Sequence, residues 1–192
     1  MKNKILFSTL LALSFATSPI KAEEYKIDTS GAHAAIQFKI KHLGFSWLLG
    51  RFNRFDGHFN YDKNNPENSN IEVNIDTASI DSNHAERDKH LRSKDFLHVK
   101  KYPTAKFVST SFREKSNGKA ELQGKLSLRG VTKSITIDLE HIGHGADPWG
   151  GYRRGFSGST VLTLKDFNIP MDLGPASRQV EMFLSIEGIR TN

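Results

Sequence analysis

The residues able to do covalent or metal chemistry are few, and their spacing argues against most of it. The chain of 192 residues has no cysteine. That excludes a disulfide framework, a thiolate zinc or iron–sulfur site and a thiol nucleophile. Eight histidines invite a metal or acid–base reading. His84 and His90 stand six apart, about 240° around a helix axis, so a helix would not bring them to one face. No HExxH or three-histidine spacing occurs. His141 and His144 flank Gly143, and a glycine turn there reads first as a solvated loop and second as a weak metal site. Gly155-Phe156-Ser157-Gly158-Ser159 begins like a nucleophile elbow, but its final glycine is missing and its surroundings alternate like a strand. The expectation is no catalytic group, no metal and no cofactor.

What remains is apolar. Thirteen of the nineteen aromatic residues are Phe, rings without a hydrogen-bonding group. Hydrophobic residues at 37% and charged residues at 25% suit one globular domain. The formal charge of +6 includes three lysines in the first 22 residues; beyond them 24 basic residues face 21 acidic ones. So mild a surplus makes no electrostatic case for nucleic acid. Lys2 and Lys4 precede an apolar run, Ile5 to Ala16, broken by Ser18-Pro19 and followed by Ile20-Lys21-Ala22. The run is shorter than the ~20 residues of a bilayer span. It predicts a secretory leader over 1–22, cleaved after Ala22, and a periplasmic domain over 23–192.

The elements that must position these rings read as strands. Ala34, Ile36, Phe38 and Ile40 alternate with Gln37, Lys39 and Lys41, which gives one dry and one wet face. The same period appears at Ile71–Ile75, Ala120–Leu128, Ile135–Leu139, Phe156–Leu164 and Val180–Ile186. Turn residues fall between them at Asn64-Asn65-Pro66, Asn117-Gly118, Gly130, Gly143–Gly151 and Gly174-Pro175. This pattern predicts an antiparallel sandwich or barrel. One short helix is expected after Asn83, with Asn83 capping, Glu86 in a capping-box position and an Asp88–Arg92 pair. Phe96-Leu97 and Val99 would pin it to the barrel end. From Leu43 to Tyr61 the chain holds six aromatic residues and glycines at 44, 50 and 57. One strand of that length far exceeds the usual five or six residues, so the glycines are expected to place bulges or bends.

The motifs HLGFSWLLGRF (42–52), NHAERDKHLRSKDFL (83–97), KYPTAKF (101–107), LRGVTK (128–133), DPWGGYRRGF (147–156) and DFNIPMDLGPAS (166–177) resemble the YceI-like family of bacterial periplasmic polyisoprenoid-binding proteins. The resemblance covers nearly all of the chain beyond residue 22. It implies an all-β fold: an extended antiparallel eight-stranded lipocalin-like β-barrel with one or two short helices. It also implies a polyisoprenoid or prenylated quinone-type lipid in the lumen. With the alternation, it makes Ile36, Phe38, Ile40, Phe45, Trp47, Phe52, Phe55, Phe96, Trp149, Phe156, Phe167 and Met182 the expected lumen lining. A tail of ten carbons would gross about 8 kcal/mol before ordering costs.

Trp149 reads either as part of a packed loop or as a lid on the barrel mouth. Arg51, Arg54, Arg153 and Arg154 read either as solvated charge or as a cradle for an anionic headgroup. Transient contact with the inner-membrane surface or a membrane redox protein would follow from a carrier role, as a monomer or dimer. The alternatives are a hydrolase or isomerase acting on such a lipid through a histidine and a carboxylate, and a module delivering quinone-like lipid to a membrane redox protein.

Overall fold

A computed structural model describes residues 22–192. The expected leader, Ala22 apart, lies outside the described residues. Eleven strands follow in chain order: β1 Glu23–Ile27, β2 Ala35–His42, β3 Ser46–Phe52, β4 Phe55–Tyr61, β5 Asn70–Asp76, β6 Ile80–Asp81, β7 Thr104–Glu114, β8 Lys119–Leu128, β9 Val131–Ala146, β10 Tyr152–Thr163 and β11 Gln179–Arg190. The only α-helix among the described residues is α1, Ala85–Leu91.

Eight strands form a closed antiparallel ring in the order β1-β4-β5-β7-β8-β9-β10-β11, and β11 returns to β1. Closure removes the sheet edges that would otherwise expose unpaired backbone. The far edge of β11 is shared. Its residues 188–190 pair with β1, and residues 180–185 pair with β2. β2 then carries β3 and the two-residue β6 as a wing leaving the ring.

The alternation read from the sequence faces inward as expected. Ile71, Val73, Leu122, Leu126, Ile137, Leu139, Met182 and Leu184 all reach the interior. One apolar cluster centres on Phe107, Phe112, Leu122 and Leu162, and a second on Tyr25, Ile36, Phe59 and Val73. A third joins Phe38, Ile80 and Leu97, with Leu91 and Val99 packed against it, so residues 91–99 do close one barrel end.

Several local expectations are corrected. Gly44, at φ +85°, does place the bend between β2 and β3, but the next break falls at Asn53-Arg54 and not at Gly50 or Gly57, and β3 and β4 go to different neighbours. Gly50 serves another purpose: a Cβ there would lie 2.3 Å from Cζ of Phe38, its partner across the ladder. Gly124 likewise leaves room for Phe107. The N-cap of α1 is His84, whose Nδ1 accepts from the Arg87 amide at 3.2 Å. Asp88 is buried and accepts from both the amide and the hydroxyl of Ser82. Its expected partner Arg92 donates instead to the carbonyls of Ala78 and Ile80. His141 and His144 stand within β9, not in a turn.

Candidate functional site

The interior of the ring holds a cavity of about 130 Å³. Its wall comes from β2, β4, β5 and β7 to β11, because each presents alternate side chains to one face. Carbon dominates that wall. The polar side chains on it, Asn60, Ser69, Asn70 and Thr160, are few. Asn60 accepts from the Asn70 amide, Ser69 from the Asp62 amide, and Thr160 donates to the Thr136 carbonyl. A ligand here meets dispersion contact and water exclusion, the terms that favour apolar chains.

At the end away from α1 the cavity adjoins a vestibule of about 420 Å³. Tyr61, Phe112 and Phe156 wall both spaces. These rings, with Phe59, make a collar of edge-to-face contacts. Centroid distances are 6.0 Å for Phe59–Phe156 and 6.4 Å for both Tyr61–Phe112 and Phe112–Phe156.

The vestibule itself is polar. Arg154 is only 5% exposed, yet it sits there with its guanidinium 3.8 Å from the centre of the Tyr61 ring. Its Nε donates to the Tyr25 hydroxyl, which donates to Glu23 at 2.6 Å. Burial, and then the bond to Glu23, push Tyr25 up to about 12; burial and Glu114 do the same to Tyr61. Burial opposes ionisation of Glu23, but Tyr25, Arg154 and Arg190 overcome it and hold its carboxyl below the usual value. His141 and His144 contact each other, Nε2 to Nδ1, at 3.2 Å. Burial, Arg154 and His144 lower the pKa of His141. The vestibule therefore offers hydrogen-bond donors and acceptors just outside an apolar bore.

The twelve expected lining residues divide. Ile36, Phe156 and Met182 are on the cavity wall. Phe38, Phe52 and Phe55 pack in the second and third clusters beside it. Ile40 is half-buried opposite Leu48 and Val180. Phe96 is buried against the His90 ring, and Phe167 is buried in the first cluster.

Three expectations are overturned by position. Phe45 is 87% exposed, Trp149 77% and Trp47 45%. A three-residue turn pairs His42 with Ser46, which sends Trp47 and Leu49 outward and Leu48 and Phe52 inward. Trp149 tips the β9–β10 turn beneath Arg153 and is not on the cavity wall.

Of the four arginines, only Arg154 reaches the mouth. Arg51 and Arg54 face Asp81 and Asp76. Arg153 binds Asp28, Asp147 and Glu187, which pins the 28–34 and 147–151 connections to the barrel. Asp28, His33 and Glu187 are also close enough to share a cation. The Arg153 guanidinium already lies on both carboxylates, at 2.7 and 2.5 Å, and holds that place.

Phe107 and Phe112 escaped the alternation because a bulge at Ser109–Ser111 switches parity, so an odd and an even residue of β7 both point inward.

A family model described as a YceI-like domain matches residues 25–188. The chain is 56% identical to a UPF0312 protein of Shewanella denitrificans, over 99% of this chain and all of that one. It is 57% identical to UPF0312 protein PA0423 of Pseudomonas aeruginosa, over 97% of this chain and all of that one. Among solved structures, the Campylobacter jejuni YCEI protein matches with a TM-score of 0.72 at 28% identity, covering 80% of this chain and 91% of that one. Burkholderia cenocepacia BcnA shares the fold with a TM-score of 0.74 at 20% identity, covering 84% and 98%. So does a Saccharophagus degradans domain described as polyisoprenoid binding, with 0.65 at 12%, covering 87% and 98%.

Proposed function

The chain belongs to the YceI-like family, and from that premise we propose that it binds and carries a long apolar lipid of the polyisoprenoid or prenylated-quinone class. The observation that carries this reading is the bore itself, whose carbon wall has few polar residues, with the side chains of Asn60, Ser69 and Thr160 already hydrogen-bonded within the protein. Such a wall rewards a chain of CH groups and penalises a polar ligand, whose lost water bonds it would not replace. The description of the Saccharophagus domain supports the ligand class. The role is binding rather than catalysis.

The tail would enter past the Phe156 collar, with Ile36 and Met182 against it. The headgroup would stay in the vestibule within reach of Arg154, His141 and His144. A cavity of about 130 Å³ resembles the engineered ~150 Å³ cavity that admits one benzene. A long tail must therefore displace the collar rings or extend into the vestibule. The basic start and apolar run of residues 2–16 support export to the periplasm, with cleavage after Ala22.

The test is mass spectrometry of lipid extracted from the purified protein, scored as lipid per chain. Wild type should yield a prenyl-chain lipid. Met182→Trp, which adds bulk inside the bore, should reduce occupancy at least about tenfold at a stability cost of ~1–3 kcal/mol. His98→Ala, remote from the cavity, should leave occupancy unchanged. An empty wild type, or a Met182→Trp protein as fully loaded as wild type, would sink the proposal.

A further inference from the structure

The outer surface at the α1 end carries an apolar group that neither the bore nor the vestibule uses. Leu43 and Phe45 form the tip of the β2–β3 turn, and Trp47 and Leu49 continue it along the outer face of β3. All four are exposed, as is Phe183 two strands away. Lys39 lies 4.4 Å from the Trp47 ring centre and 5.0 Å from that of Phe183, besides pairing with Glu181. Lys41 lies 5.6 Å from the Trp47 ring centre. Leu43 has φ +53°, in the left-handed region that leucine rarely adopts. Turn geometry alone would favour Asn or Gly there, so an exposed leucine is an expensive choice for folding.

Charge at this end is lopsided. Segments 39–51, 80–102, 129–133 and 164–183 hold thirteen Lys and Arg against seven Asp and Glu. The remainder beyond residue 22 holds eleven against fourteen. The fold gathers these segments. Ser177 donates to the Lys41 carbonyl, Arg129 donates to the carbonyls of Lys94, Phe96 and Asn168, and Leu48 packs against the cluster holding Leu97. Several of the arginines bond carbonyl oxygens, so their charge is not cancelled.

We propose that this end is a docking surface for a bilayer containing anionic phospholipid, with Leu43, Phe45 and Trp47 seated among the headgroups and the surrounding lysines and arginines over their phosphates. A convex apolar tip with an amphipathic Trp suits the membrane interface, and single-sign charge around it complements an anionic leaflet. A protein partner would more often be met by a groove or a pocketed anchor. The vestibule, at the opposite end of the barrel, then faces away from the membrane. The docking does not depend on what fills the bore.

Vesicle flotation tests this with the purified protein. Vesicles of phosphatidylethanolamine with about one-third phosphatidylglycerol should carry the protein up, and phosphatidylcholine vesicles should not. Raising salt from about 0.05 to 0.5 M should weaken the binding. Leu43→Asn combined with Phe45→Ser should weaken it at least about tenfold, and so should Lys41→Glu combined with Lys101→Glu. Leu43→Asn alone should melt no lower than wild type, since Asn suits the turn. Lipid per chain in the bore should match wild type in every variant, which separates this proposal from the carrier reading. Absence of flotation, or flotation indifferent to both double variants, overturns it. Self-association in sedimentation that the Leu43→Asn/Phe45→Ser variant abolishes, without vesicle binding, also overturns it and makes the face an interface between copies of this chain.

Discussion

At one end of the barrel Phe38, Ile80 and Leu97 close the interior with packed carbon, and α1 lies beside them. At the other end Arg154, Glu23 and His141 line an open, polar vestibule, with Tyr25 buried behind Arg154. Strands of the closed ring build the mouth, whereas the floor residues come from β2, β6 and the segment after α1. The difference lies in what each end buries: apolar side chains packed on one another, or ionisable groups held in partial desolvation. Packing of the first kind stabilises at every pH, because no proton is exchanged on folding. The second kind ties stability to protonation. A barrel made this way has a firm floor and a mouth whose energetics respond to its surroundings.

The contrast can be broken most strongly at the floor. Phe38→Ala should cost about 3–5 kcal/mol in urea unfolding, independent of pH, through lost burial and a cavity against β3. Gly50→Ala should also destabilise, because its new methyl meets the Phe38 ring. In the Phe38→Ala background the same change should be nearly harmless, which identifies the ring, not backbone freedom, as the reason for glycine there. Equal cost in both backgrounds would refute that account.

A smaller effect belongs to the tyrosines of the mouth. Tyr25 and Tyr61 are held near 12, above the ~10 of an unfolded tyrosine. The folded state keeps those protons longer, so the stabilisation is whole below about pH 10 and is lost as pH rises toward 12. Urea midpoints should fall across that window, and Tyr25→Phe should flatten part of the fall. Phe38→Ala should shift the whole curve and leave its slope alone.

The smallest effect should come from His141. Its folded pKa lies below the unfolded ~6.5, so the fold favours the neutral ring. That preference is harmless above about pH 6.5 and costs stability as pH falls through the folded value. His141→Gln should remove this component of the acid slope. The ring is only half-buried, so hydration should keep the change modest. An unchanged slope would mean that the charged ring is accommodated at the mouth.

Much of the wall was legible in the chain. The alternation of Ile36 and Phe38, of Ile71 and Val73, and of Met182 and Leu184 named the inward face of each strand correctly. Legibility stopped where one residue too many enters a strand. Thr110 is unpaired at the β7 bulge, and beyond it the parity reverses, so Phe112 joins Phe107 inside. It stopped again at Trp47 and Phe45, whose facing was set by a three-residue turn. Arg154 looked like its neighbour Arg153. One strand position separates a buried cation at the mouth from an outer one that ties down two loops.

The sequence by itself determined that the protein would be a barrel or sandwich of strands with one carbon-rich face, without thiol chemistry, and its motifs carried the family. Those properties are local, since a period of two and a residue's own chemistry are complete within a few positions. Which rings would meet was decided by the tertiary structure alone. Phe59, Phe112 and Phe156 come from β4, β7 and β10, strands that do not pair with one another, and they touch across the bore. Their meeting depends on the register of every strand around a closed ring and on two bulges that shift it. Periodicity tells a side chain which way to point, and only closure tells it what stands opposite.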